Sequence, residues 1–93
     1  MKAMWNNVVV ATSEETSLFE GTYYFPARAI SEELVIKSGR VFHCPKRGYG
    51  VYVDLLVNGN EKKDAAVYFA HPYPEAKVIA DTMCFLYGVE IAE

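Results

Sequence analysis

Residues 49–70 read YGVYVDLLVNGNEKKDAAVYFA, and this stretch carries the strongest structural signal in the chain. Apolar residues alternate from Tyr49 to Val57, which is typical of an extended strand with one apolar face. Asn58-Gly59 follows, a pair that accepts the positive φ angles of a tight hairpin turn. We expect the charged residues 61–64 to extend this loop, and the return strand to run from Ala65 to Ala70. The stretch therefore predicts a β-hairpin.

Short extended segments are expected on both sides of the hairpin. A β-branched run over residues 7–12 predicts the first strand. Residues 17–20 and 22–25 predict two more strands around Gly21, where glycine accepts the positive φ of a turn or bulge. A terminal strand is expected over 84–91, turned near its glycine. Together these segments predict a sheet protein with about six to eight short strands.

Helical patterns are few and short. Pro26 can open a short helix that ends by Gly39, although Val35 can equally begin a strand there. The better helix candidate spans 75–82, where an acidic residue in the first turn suits the helix dipole. The prediction is a mainly β fold with a minor α component of one or two short helices, in a single domain over residues 1–93.

Composition excludes several functional classes. The 9 basic and 12 acidic residues give a net charge of −3, which argues against a nucleic-acid binder. No apolar run approaches the roughly 20 residues of a membrane span, and no secretory signal is evident. We therefore expect a cytoplasmic protein with free thiols at Cys44 and Cys84, although a disulfide between them stays open. His43 and His71 are too few to predict a metal site, and no cofactor is expected.

The segment from His43 to Gly48, HCPKRG, is the most chemically suggestive one. Cations at Lys46 and Arg47 can lower the pKa of the Cys44 thiol and make it a better nucleophile. An enzyme in which Cys44 or Lys46 is the reactive group is therefore an alternative hypothesis. The simpler interpretation is a strand end and a turn, with a thiol that behaves as a small buried hydrophobe.

A second hypothesis concerns the tyrosines. Tyr52 and Tyr68 lie on the two strands of the predicted hairpin, and with Tyr24 they can form an aromatic cleft. Lys46 and Glu20 would add one charge of each sign, which orients a small molecule or a peptide. Ordinary cross-strand packing is the alternative. The predicted ligand-binding residues are Glu20, Tyr24, Cys44, Lys46, Tyr52 and Tyr68.

Several short segments also resemble, in order and spacing, family 427 of domains of unknown function. They are Trp5, Tyr24-Phe25-Pro26, Cys44-Pro45-Lys46 with Gly48, Tyr52, Ala65 to Tyr68, Pro72, Pro74, Ala76, Ile79-Ala80 and Phe85. The resemblance covers nearly the whole chain and implies a β-tent fold, in which small sheets lean together over a cleft. Relative to the family's usual pattern, Arg47 stands where an aromatic residue, often tryptophan, is usual, Val67 replaces a tryptophan, and Phe69 replaces a tyrosine.

The resemblance also implies chemistry that the residues do not support. Zinc ribbons and methionine sulfoxide reductases share the β-tent shape, but their metal sites use two Cys-x-x-Cys pairs that this chain lacks. Family members are sometimes labelled nucleotidyltransferase-like. That reaction needs paired carboxylates for magnesium, whereas Asp54 and Asp64 are separated by the predicted hairpin turn.

A third class is a non-catalytic interaction module. Alternating apolar strands leave an open sheet edge that can pair with a second copy or another chain. We therefore expect a monomer or a weak homodimer, with a small-molecule ligand as the leading partner and neither a nucleic acid nor a membrane.

Overall fold

The computed structural model describes residues 1–93 as nine β-strands and three short 3₁₀ turns, with no α-helix. Strands hold 59% of the residues, so the predicted mainly β fold is confirmed. The strands are β1 (Lys2–Trp5), β2 (Val8–Thr12), β3 (Ser17–Phe19), β4 (Thr22–Pro26), β5 (Val35–Cys44), β6 (Gly48–Val57), β7 (Asn60–Phe69), β8 (Thr82–Phe85) and β9 (Glu90–Ala92). The 3₁₀ turns are Ala27–Ala29, Glu32–Leu34 and Pro74–Ile79.

The strands form two antiparallel sheets. The small sheet has the order β2-β1-β9, and the large sheet has the order β3-β4-β8-β7-β6-β5. A buried cluster joins Ala3 and Val10 of the small sheet to Phe25 and Leu55 of the large one. This inner face of the large sheet is the main core. The outer face of the large sheet carries a second buried cluster, which includes residues of the third 3₁₀ turn.

The β6–β7 hairpin confirms the predicted turn but corrects its length. Asn58 and Gly59 have φ angles of 51° and 80°, and Val57 pairs directly with Asn60. The predicted loop over 61–64 is wrong, because these charged residues already belong to β7, and Glu61 and Lys62 pair with Leu56 and Leu55 of β6. A strand with one face toward solvent accepts charged side chains without loss of its backbone hydrogen bonds, so β7 begins at Asn60 rather than at Ala65.

Both predicted helical segments contain short 3₁₀ turns and no α-helix. Residues 26–39 contain two single 3₁₀ turns, and β5 begins at Val35, which was the open alternative. Residues 75–82 contain only part of a 3₁₀ segment that is kinked at Ala76, with φ −116° and ψ 23°. Thr82 already belongs to β8 and pairs with Pro26 on one side and Phe69 on the other. Pairing with two strands therefore outweighs the weak helical pattern.

The two ends of the chain form the small sheet. The predicted strand at 7–12 is β2, and it pairs with a strand that was not predicted, Lys2–Trp5. The predicted terminal strand at 84–91 is divided between β8 in the large sheet and β9 in the small one. The structure contains no helix with the length and apolar character needed to cross a membrane.

Candidate ligand cleft around Arg47

The register of the central hairpin separates two of the predicted site residues. Tyr52 pairs with Val67, and Tyr68 pairs with Val51 on the same two strands. Neighbours along a strand point to opposite faces. Tyr52 therefore packs on the outer face of the large sheet, whereas Tyr68 packs against the inner core. The structure does not bring these two tyrosines into one patch.

The outer face carries a continuous row of aromatic rings. Ring centroids are 6.2 Å apart for Tyr24 and Phe69, 6.1 Å for Phe69 and Phe42, and 5.7 Å for Phe42 and Tyr52. All three pairs are edge-to-face, an arrangement that aromatic quadrupoles favour. Of the predicted tyrosines, Tyr24 and Tyr52 thus stand at opposite ends of one cluster.

Arg47 lies beside the Tyr24 end of this row, in the turn between β5 and β6. Its Nη1 donates a hydrogen bond to the Cys44 sulfur at 3.2 Å. Its Cζ lies 5.5 Å from the centroid of the Phe19 ring and 5.9 Å from that of Tyr24. The Nε atom is buried and has no hydrogen-bond partner. None of the five ion pairs in the structure includes Arg47, so its charge has no carboxylate partner.

These side chains line a cavity of about 220 Å³ on the outer face. Its wall is mostly apolar, with Arg47 as the one charged residue. The lining residues are Thr22, Tyr24, Phe42, Arg47, Val67, Phe69, Cys84, Phe85 and Leu86. We call this cavity the Arg47 cleft. Of the residues predicted to bind a ligand, Tyr24 lines it directly.

Tyr68 lies on the opposite face, and the other four predicted residues are not part of the cleft lining. Lys46 and Glu20 form a long ion pair of 3.8 Å between Nζ and Oε2, and both side chains are exposed. An exposed pair of this kind contributes about 0–1 kcal/mol. Cys44 borders the cleft through its hydrogen bond with Arg47. Tyr52 lies at the far end of the aromatic row, where the Arg40 guanidinium stacks 4.6 Å from its ring centroid.

Both cysteines are free thiols, with different environments. Burial alone would raise the pKa of the Cys44 thiol. The hydrogen bond from Arg47 and the backbone N–H groups of Lys46 and Arg47 outweigh burial, so the pKa of Cys44 lies below its ordinary value of 9.0. Burial raises the pKa of Cys84. Burial and the adjacent Cys84 thiol raise the pKa of Tyr24 to about 12, so its hydroxyl is protonated at neutral pH.

Alkylation by iodoacetamide should separate the two thiols. Because the pKa of Cys44 is lowered, we expect its alkylation rate to reach half of its maximum at a pH below 9.0. Arg47→Gln should shift that midpoint to higher pH, since it removes the charge beside the sulfur. Cys84 should react far more slowly in the native protein because it is buried. Mass spectrometry of quenched time points reports both sites separately.

Lys46→Gln is the matched control for this experiment. It removes a neighbouring cation whose side chain pairs with Glu20, while the backbone N–H at position 46 remains. We expect it to leave the Cys44 midpoint nearly unchanged. A native Cys44 that titrates at or above the midpoint of the urea-unfolded chain would contradict the assignment.

The acidic residues considered for nucleotidyl transfer have structural roles in the hairpin. An Asp54 carboxylate oxygen accepts a hydrogen bond of 2.7 Å from the backbone N–H of Asp64, and Asp54 is 3% exposed. Lys63 approaches the other Asp54 oxygen at 3.7 Å, and Arg40 pairs with Asp64. No group of three His, Cys, Asp or Glu side chains converges in the structure. Asp54 therefore joins β6 to β7, and the Asp64 carboxylate joins β7 to β5.

Arg47 is the central residue that sequence reasoning did not include among the ligand-binding set. The available signal was its position close to Cys44, from which only an effect on the thiol was predicted.

A model of the family described as "Domain of unknown function (DUF427)" matches residues 1–92 of the chain. No curated protein matches the chain.

Proposed function

The chain belongs to the DUF427 family of domains of unknown function, and from its structure we propose that it binds a small molecule with an anionic group on an apolar body. The proposed site is the Arg47 cleft. The observation that carries the proposal is the half-buried guanidinium of Arg47, which lacks a carboxylate partner and has a buried Nε without an acceptor.

Electrostatics favours an anion at this position. Arginine side chains removed from water are usually paired, because loss of hydration is costly for a charge. Here the neighbours are the Phe19 and Tyr24 rings and the Cys44 thiol. A cation over an aromatic ring face is stabilised by about 0.5–2 kcal/mol, which offsets part of that cost. A carboxylate can accept two parallel N–H groups from a guanidinium, which supplies both charge and orientation.

The walls of the cleft favour a compact apolar body for the ligand. Tyr24, Phe42 and Phe69 present aromatic surface to the cavity. Its volume of about 220 Å³ is below the about 300–1,000 Å³ of sites for drug-sized ligands. A ligand with about one ring therefore fits. Burial of its apolar surface contributes roughly 25 cal/mol per Å².

Benzoate and its neutral analogue benzamide test this proposal by an NMR titration of the ¹⁵N-labelled protein. We expect benzoate to shift the backbone amides of Arg47, Cys84 and Leu86, which surround the cleft. Benzamide has nearly the same shape without the charge. It should bind at least about tenfold more weakly, because a hydrogen bond to a charged group contributes about 1.5–3 kcal/mol and 1.4 kcal/mol corresponds to tenfold.

Arg47→Gln should remove the preference for benzoate over benzamide. Arg28→Gln is the matched control, because Arg28 is 70% exposed and pairs with Glu15 away from the cleft residues. This control should keep the preference. Equal affinity of the native protein for both compounds, or a titration that moves none of the three amides, would overturn the proposal.

Covalent chemistry at Cys44 is the second candidate function, favoured by the lowered pKa of its thiol beside the cleft cation. Cys44→Ser separates the two candidates. It should leave benzoate binding largely intact if the domain is a binding module. It should abolish turnover of any substrate that the thiol attacks. Lys46, the other reactive residue considered, is exposed and pairs with Glu20.

A further inference from the structure

A larger cavity lies on the opposite face of the large sheet from the Arg47 cleft. Its volume is about 300 Å³, and seven of its nine lining residues are apolar. Ile30, Val35, Val51 and Met83 belong to this apolar wall. We call it the inner groove. Strand β8 separates the two cavities, since Met83 lines the inner groove and the next residue, Cys84, lines the Arg47 cleft.

Two exposed charges of opposite sign border the inner groove. Lys37 pairs across the β5–β6 ladder with Val53, so its side chain starts on the same face as the apolar wall. Glu32 begins the second 3₁₀ turn and also lines the groove. Neither residue takes part in any of the five ion pairs of the structure. Both charges are therefore free to meet a ligand.

Asp81 holds one wall of the groove in place. Its carboxylate accepts a hydrogen bond of 2.6 Å from the Tyr68 hydroxyl. Its backbone carbonyl accepts one of 3.1 Å from Ala27 N–H, and its own N–H donates to the Phe69 carbonyl at 2.8 Å. Tyr68 and Ala27 both line the groove. Because both are tied to Asp81, this part of the cavity exists before a ligand arrives, which lowers the entropic cost of binding.

We propose that the inner groove binds a free α-amino acid with an apolar side chain. The ligand's ammonium group would lie at Glu32, its carboxylate at Lys37, and its side chain in the apolar cavity. The complementarity of charges carries this choice. A simple fatty or aromatic acid would leave Glu32 facing its carboxylate, and a simple amine would leave Lys37 facing its ammonium. A zwitterion satisfies both. The inference is independent of the Arg47 cleft.

L-Phenylalanine, 3-phenylpropionate and phenethylamine test the proposal as a matched series. The second compound lacks the ammonium group and the third lacks the carboxylate. The ¹³C signal of the Met83 methyl reports the groove, while the Cys84 amide reports the opposite face. We expect phenylalanine to shift the Met83 methyl and to bind about two- to fivefold more tightly than either analogue, because exposed ion pairs contribute about 0.2–1 kcal/mol each.

Charge-removing variants identify the two rim residues. Glu32→Gln should abolish the advantage of phenylalanine over 3-phenylpropionate, and Lys37→Gln should abolish its advantage over phenethylamine. Glu33→Gln is the control, because Glu33 belongs to the same 3₁₀ turn but does not line the groove. It should leave both advantages unchanged.

Three outcomes would overturn the inference. The first is a Met83 methyl that none of the three compounds shifts. The second is equal affinity for all three compounds, which indicates apolar binding without recognition of the charges. The third is a phenylalanine titration that moves the Cys84 amide and leaves the Met83 methyl unchanged, which assigns binding to the Arg47 cleft instead. Loss of benzoate binding in Arg47→Gln has no bearing on these results.

Discussion

Phe69→Ala is expected to lower the free energy of unfolding by about 3–5 kcal/mol. Phe69 is 0% exposed and contacts both Tyr24 and Phe42 in the aromatic row. Its truncation removes buried apolar surface and leaves a cavity that the paired strands of the large sheet cannot close. A domain's whole stability is typically about 5–15 kcal/mol. The variant should therefore unfold at a much lower urea concentration.

Urea denaturation followed by circular dichroism measures this change. Tyr87→Ala is the control, because it truncates an aromatic side chain that is 98% exposed. It should change the free energy of unfolding by less than about 0.5 kcal/mol. A loss below about 1 kcal/mol for Phe69→Ala would show that the aromatic row is not a tightly packed core.

Gly50→Ala should destabilise the protein by about 1–3 kcal/mol through overpacking. A Cβ at this position would lie 2.6 Å from Val67 Cγ1, 3.0 Å from the Tyr68 carbonyl oxygen and 3.1 Å from Phe69 Cε1. The carbonyl cannot move without disturbing the β6–β7 ladder. Alanine at position 50 therefore forces the two central strands apart or displaces Val67 and Phe69.

A double-mutant cycle with Val67→Ala isolates the side-chain part of this clash. Val67→Ala alone should destabilise the protein because Val67 is buried. It also removes the atom nearest to the new methyl group. The double variant should therefore lose at least about 0.5 kcal/mol less than the sum of the two single changes. Additive losses in the urea midpoints, or a neutral Gly50→Ala, would contradict the packing seen around Gly50.

The Arg47 cleft was only partly accessible to sequence reasoning. The link between Cys44 and nearby cations was predictable, because Arg47 is only three positions after Cys44 in one turn. Phe19 and Cys84, by contrast, are distant in the sequence, and strand order brings them to the turn. No local pattern reports such an approach. The absence of a carboxylate beside Arg47 is likewise visible only in three dimensions.

Local backbone preference was enough to predict the mainly β fold and its central turn. Asn58-Gly59 accepts positive φ wherever it occurs, and the alternation of β6 needs only its own residues. Which face of the sheet Tyr52 and Tyr68 occupy depends on the β6–β7 register. The absence of the predicted helix at 75–82 depends on the pairing of β8 with β4 and β7. Those outcomes were set by strand pairing, because the β6–β7 register shifts between Val53 and Leu55 without a local sequence signal, and β8 pairs with β4, which is distant in the sequence.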